Sequence, residues 1–251
     1  MKAIFLISSF CNYHKENGIK VVNKCDNSNH FVDELRKVEK TFKSVALIAS
    51  DPDNFKKSAE YANLIVDALN LDGFKIENKN IIDHSFGENI KNTILASDLV
   101  ILMGGHVPTQ NKYFKEIGLK DILSKYDGVV IGQSAGSMNA AEMVYCQPES
   151  YEEFYDKNFQ KSFTGLGLTK LKIMPHINSA KIDEIDGTTT MDMCLKDSYL
   201  YPHLGIVDSG FVEIKDGIDS VFGQAIYIKN GEVVSICENG QNKILNNELQ
   251  K

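Results

Sequence analysis

At 251 residues and 43% hydrophobic content the chain can bury a sizeable core, and one domain spanning residues 1–251 is the simplest division. A formal net charge of -7 at pH 7, with Arg36 the only arginine and no basic run, excludes nucleic acid as the main partner. Five scattered cysteines without a Cys-x-x-Cys argue against a disulfide framework or a zinc centre and fit reduced thiols in a cytoplasmic protein.

Residues 2–8 read as a buried first strand. Lys2, a short apolar run and Cys11 give a faint likeness to a lipoprotein signal, but the run is too short and bulky Phe10 precedes the cysteine. No other segment approaches membrane-spanning length, so no membrane association is expected. A helix over residues 29–41 and a strand over 44–49 follow. Asp51 then reads as the cap, and Pro52 as the first position, of a helix whose apolar stripe includes Phe55, Ile65 and Leu69 and which ends at Gly73.

Extended pieces occupy residues 74–82, and a helix covers 88–96. An apolar strand over 99–103 stops at Gly104-Gly105-His106, and a helical stretch over 111–124 leads to another buried strand at 129–131. Unbroken apolar strands alternating with helices indicate an α/β fold, a mainly parallel sheet covered on both faces. Residues 135–144 are rich in helix formers. Residues 147–153 form a polar, aromatic-bearing excursion, suited to a flap. Strands over 169–174 and from His203 to residue 207 precede a C-terminal region whose turns at residues 215–217 and 229–231 predict antiparallel hairpins.

The candidate chemistry lies at Gly132-Gln133-Ser134-Ala135-Gly136, between a buried strand and a helix. Glycines two residues to either side of Ser134 suit a strand-to-helix elbow, which lifts the hydroxyl above the sheet edge as a nucleophile. A small-residue turn that merely lets a helix pack on a strand would give the same pattern. The amide of Ala135, at the helix start, together with that of Gly105 in the glycine pair, forms a candidate oxyanion hole.

A serine nucleophile needs a base, and in a parallel sheet working groups sit at the carboxyl ends of strands. Of the six histidines, His176 fits best because it follows a strand and Pro175. His106 follows the glycine pair, and His203 precedes its strand and belongs at the opposite edge. For the orienting acid, Asp208 ends the strand that begins at His203. Glu213 in the next strand and Glu149 in the excursion remain alternatives.

These residues, with Met103-Gly104-Gly105, Pro175-His176 and the segment Gly205-Ile206-Val207-Asp208-Ser209-Gly210, resemble the family of dipeptidase E (alpha-aspartyl dipeptidase) and cyanophycinase. These are serine peptidases of the class I glutamine-amidotransferase-like fold. The resemblance spans residues 47–228 and implies roles for Ser134 as nucleophile, His176 as base and Asp208 as acid. Some accounts of the family place the acid after the elbow helix, which here is Glu149. It also implies a short peptide substrate. The chain has no His-x-x-x-His, no Cys-x-x-Cys and no Gly-x-x-x-x-Gly-Lys phosphate loop, so no cofactor or metal is expected, and a monomer or homodimer is the expected state. One departure stands out. Aspartyl dipeptidases carry arginines after the histidine, whereas residues 177–186 hold one lysine and several acids. An esterase or amidase acting on a small non-peptide substrate, and a homologue that binds without catalysis, are the competing readings.

Overall fold

A computed structural model describes residues 1–11, 13–16 and 19–245. Its central sheet is built on β1 (Ala3–Ile7), β2 (Ser44–Ile48), β3 (Asn78–Ile82), β4 (Leu99–Leu102) and β5 (Val129–Gln133), all parallel, in the order β1-β5-β4-β2-β3. β1, β4 and β5 are buried at every position, as expected for strands covered on both faces.

The period-2 alternation of strand side chains divides the core. Ala3, Phe5 and Ile7 pack with Val45, Leu47 and Ile101 against helices α1 (Phe31–Val38) and α2 (Phe55–Leu71). Ile4 and Leu6 pack with Ile48, Val100 and Val130 on the other face, under α3 (Ile90–Ala96), α4 (Val107–Glu116) and α5 (Leu119–Leu123). The mixed α/β plan, a large mainly parallel sheet with helices on both faces, is that expected of the class I glutamine-amidotransferase-like fold.

A second sheet is the main feature not anticipated from the sequence. It contains β6 (Ile173–Met174) parallel to β7 (His203–Ile206). The C-terminal strands are antiparallel as expected, but they divide between the two sheets. β8 (Phe211–Lys215) and β9 (Ile218–Phe222) extend the central sheet from β1. β10 (Ala225–Lys229) and β11 (Glu232–Cys237) complete the second, and β12 (Asn242–Ile244) returns to pair with β9. Several boundaries also differ. α2 starts after Asn54, whose side chain accepts from the Lys57 amide at 3.3 Å, so Asp51 and Pro52 precede the helix and Phe55 is exposed rather than part of the stripe. The stretch at 111–124 is two helices separated by Gly118, at φ 63°, and the first starts at Val107. Among the described residues no helix is long and apolar enough to cross a membrane, and all five cysteines are unpaired.

Candidate active site

The strand-to-helix elbow is built by close backbone contacts. Ser134 has φ 50° and ψ −113°, a conformation costly for any residue with a side chain. It caps α6 (Ala135–Asn139), a helix of barely more than one turn. A Cβ on Gly132 would lie 2.9 Å from the Gly136 carbonyl oxygen, and one on Gly136 would lie 2.2 Å from the Leu102 carbonyl oxygen. Neither position tolerates a side chain without backbone movement. The elbow is tied to the end of β1: the Ser134 amide donates to the Ile7 carbonyl at 2.9 Å, and buried Ser137 Oγ donates to the carbonyls of Ile7 and Gly132.

His176 and Asp208 arrive from the second sheet. His176 follows β6 through Pro175, with a left-handed φ of 54°, and Asp208 lies just beyond β7. His176 Nε2 is 3.1 Å from Ser134 Oγ, and Nδ1 is 2.5 Å from Asp208 Oδ1. The carboxylate fixes the proton on Nδ1 and so leaves the Nε2 lone pair facing the serine. One participant has no counterpart in the sequence reading. Ser8, fully buried just past β1, donates its hydroxyl to Asp208 Oδ1 at 3.1 Å and accepts from the His176 amide at 2.9 Å. Its only sequence signal was its place at the carboxyl end of an apolar strand.

Ser134, His176 and Gly105 line one cleft of about 630 Å³. A Cβ on Gly105 would stand 2.2 Å from Ser50 Oγ, so the close approach of that backbone requires glycine. No described residue accepts a hydrogen bond from the amide of Gly105 or Ala135.

Glu149 also lines the cleft but makes no hydrogen bond to the imidazole, both of whose nitrogens are already engaged. Loss of hydration raises its pKa; Glu153 adds to the rise, while His106 and His176 oppose it. The excursion carries a short helix, α7 (Tyr151–Tyr155), and is anchored at the cleft mouth. Glu153 Oε1 sits 2.7 Å from His106 Nε2, and Glu153 Oε2 accepts from the Glu149 amide at 2.8 Å. His106 is therefore a tether for this loop. His203 lies away from the cleft, fully buried, with Nδ1 2.7 Å from the Tyr201 carbonyl oxygen. Glu213 is in β8 opposite Phe5, and partial burial raises its pKa.

The sequence matches the model of peptidase family S51 over residues 21–236. The chain belongs to that family. It is accordingly a hydrolase, a serine peptidase. Solved structures with the same fold include a peptidase from an acI-B1 Actinobacterium, at TM-score 0.64 and 15% identity over 97% of both chains. A Listeria monocytogenes EGD-e protein assigned as a peptidase E superposes at TM-score 0.54 with 17% identity, covering 94% of this chain and 98% of that one. No curated protein matches the sequence at a significant level. At such low identities the structural likeness to these peptidases speaks for the fold alone, and the roles of individual residues rest on geometry.

Proposed function

We propose that this S51 peptidase hydrolyses short peptides, with Ser134 as nucleophile, His176 as general base and Asp208 as the acid that orients it. The observation carrying the reading is the unbroken hydrogen-bonded chain from Ser134 Oγ through the imidazole to Asp208, inside the cleft. Its volume of about 630 Å³ suits a ligand of a few residues.

In the first half-reaction Ser134 Oγ attacks the peptide carbonyl carbon and its proton passes to His176 Nε2. The oxyanion is received by the amides of Gly105 and Ala135. When the intermediate collapses, the C–N bond breaks and Nε2 returns the proton to the leaving amine, leaving an acyl ester on Ser134. Water then attacks the acyl carbon as Nε2 takes its proton; with the new C–O bond formed, the ester C–O bond to Ser134 breaks, Nε2 returns the proton to Ser134 Oγ, and the carboxylic acid product leaves. Asp208 accepts the Nδ1–H throughout and stabilises the imidazolium. The five unpaired thiols support a reducing compartment as the place of work.

A fluorophosphonate probe and a dipeptide panel, run beside short-chain esters, test the proposal. Labelling of the wild type, peptide turnover exceeding ester turnover, and loss of both labelling and turnover in a folded Ser134→Ala variant are the expected results. Removal of the nucleophile should cost on the order of a millionfold in turnover. Near wild-type activity in the alanine variant rules out the nucleophile, and ester turnover without peptide turnover moves the substrate to the ester class.

A further inference from the structure

The Ser8 hydroxyl sits where the two sheets meet, and its three polar contacts are with the base and its acid. It accepts from the His176 amide at 2.9 Å, donates to Asp208 Oδ1 at 3.1 Å, and lies 3.3 Å from His176 Nδ1. A hydroxyl has one proton and two lone pairs; here the proton serves the carboxylate and one lone pair serves the amide. The hydroxyl cannot wander. Ser8 is fully buried, and its own amide donates to the Gly210 carbonyl at 3.1 Å.

Asp208 needs such an anchor. Its side chain is 59% exposed, and the imidazole and Ser8 are the only groups among the described residues that hydrogen-bond its carboxylate. A carboxylate this open to water is pulled toward full hydration, and one hydrogen bond from a half-exposed imidazole does not fix its rotamer. A second bond from a fixed, buried donor does, because two directional contacts to one oxygen define the plane of approach. His176 needs one as well. Its φ of 54° lies in the left-handed region, and satisfying its amide from Ser8 offsets part of that cost.

The neighbouring residue completes the device. The Ile7 carbonyl holds the Ser134 amide and Ser137 Oγ. The last residue of β1 and the residue after it thus set the nucleophile's half of the site and the base's half against the same backbone.

We propose that Ser8 is a positioning residue for the reaction, acting through Asp208 and the main chain of His176 to hold the imidazole in line with Ser134. This rests on the triad reading above. Ser8 touches no substrate atom, so its removal lowers the rate of the chemical step and leaves ground-state binding alone.

The test is a double-mutant cycle between Ser8→Ala and Asp208→Asn, read by the second-order rate of fluorophosphonate labelling and by kcat and KM on the best dipeptide. Ser8→Ala should lower the labelling rate and kcat by about a hundredfold, with KM within about twofold. In the Asp208→Asn background the same change should cost less than about threefold, because the group it acts through is already disabled. Ser8→Cys keeps a comparable volume with a much weaker donor and should behave like the alanine variant. It decides the matter if Ser8→Ala does not fold.

Equal losses in both backgrounds, or wild-type kinetics in a folded Ser8 variant, overturn the inference while the triad stands. A harmless Asp208→Asn overturns the triad reading and the inference together.

Discussion

Asp208 Oδ1 stands 2.5 Å from His176 Nδ1, although each residue enters the site from a different strand of the second sheet. Glu149, an alternative candidate for the acid, faces the same cleft without reaching the ring. Asp208→Asn should therefore reduce turnover by roughly ten-thousandfold at neutral pH, since the amide fails to hold the productive tautomer. Glu149→Gln should cost far less. Steady-state kinetics of the two variants check this, and the opposite ranking transfers the orienting role to Glu149.

Substrate charge gives a second prediction. The cleft carries Glu149, Asp183 and Glu184 against Lys57, and Asp183 and Glu184 fall in the segment where aspartyl dipeptidases have arginines. A substrate carboxylate meets like charge there. Dipeptides with an N-terminal aspartate should show kcat/KM at least about tenfold below those with alanine or lysine, and the gap should narrow as salt rises. A preference for aspartate over lysine at low salt sinks this reading.

Much of this site was legible in the sequence because its parts carry strong local signals. Parallel strands buried on both faces read as unbroken apolar runs. The flanking glycines of Ser134 mark backbone contact, and His176 and Asp208 follow strands. The second sheet was not legible, because β6 is only two residues long and no periodicity can emerge from it. The predicted helix at 135–144 stops at Asn139 for a tertiary reason. The carbonyls of Asn139, Ala140 and Ala141 accept from the amides of Leu166, Leu168 and Gly167, which takes them from the helix ladder. Thr169 likewise leaves the predicted strand to bridge with Ala141. Ser8 could not be recognised without knowing that β1 lies beside the elbow strand.

The elbow's packing makes Gly136→Ala a sharp stability test. Its Cβ would fall 2.2 Å from a main-chain oxygen in β4, which cannot yield as a side chain does. We expect a loss of about 3 kcal/mol together with loss of activity, measured by urea unfolding and turnover. Gly87→Ala is the control, since nothing lies within 4 Å of its Cβ, and its stability should stay within about 0.5 kcal/mol of wild type. A Gly136→Ala protein as stable and active as that control refutes the packing account.

His203 predicts an acid-sensitive step in stability unrelated to catalysis. Burial pushes its pKa down from 6.5 to about 4, so the folded protein holds the ring neutral while the unfolded chain protonates it near pH 6.5. A depressed folded-state value means the contribution is complete above about pH 6.5 and is lost as the pH falls toward 4. The decline over that window amounts to about 3 kcal/mol. In His203→Asn the stability curve, measured by denaturant unfolding at each pH, should be flatter between pH 6.5 and 4 by that amount. Parallel curves for the two proteins argue against it.

The position of β1 has a consequence for biosynthesis. Residues 3–7 are synthesised before either partner strand, residues 129–133 on one side and 211–214 on the other. An apolar five-residue segment must therefore wait for its second neighbour until residue 214 has been translated. Contacts this distant in sequence slow folding and prolong the exposure of unpaired strand edges. The strand is made before both strands that flank it, so nascent chains truncated before residue 211 hold one of its edges open to association with other chains.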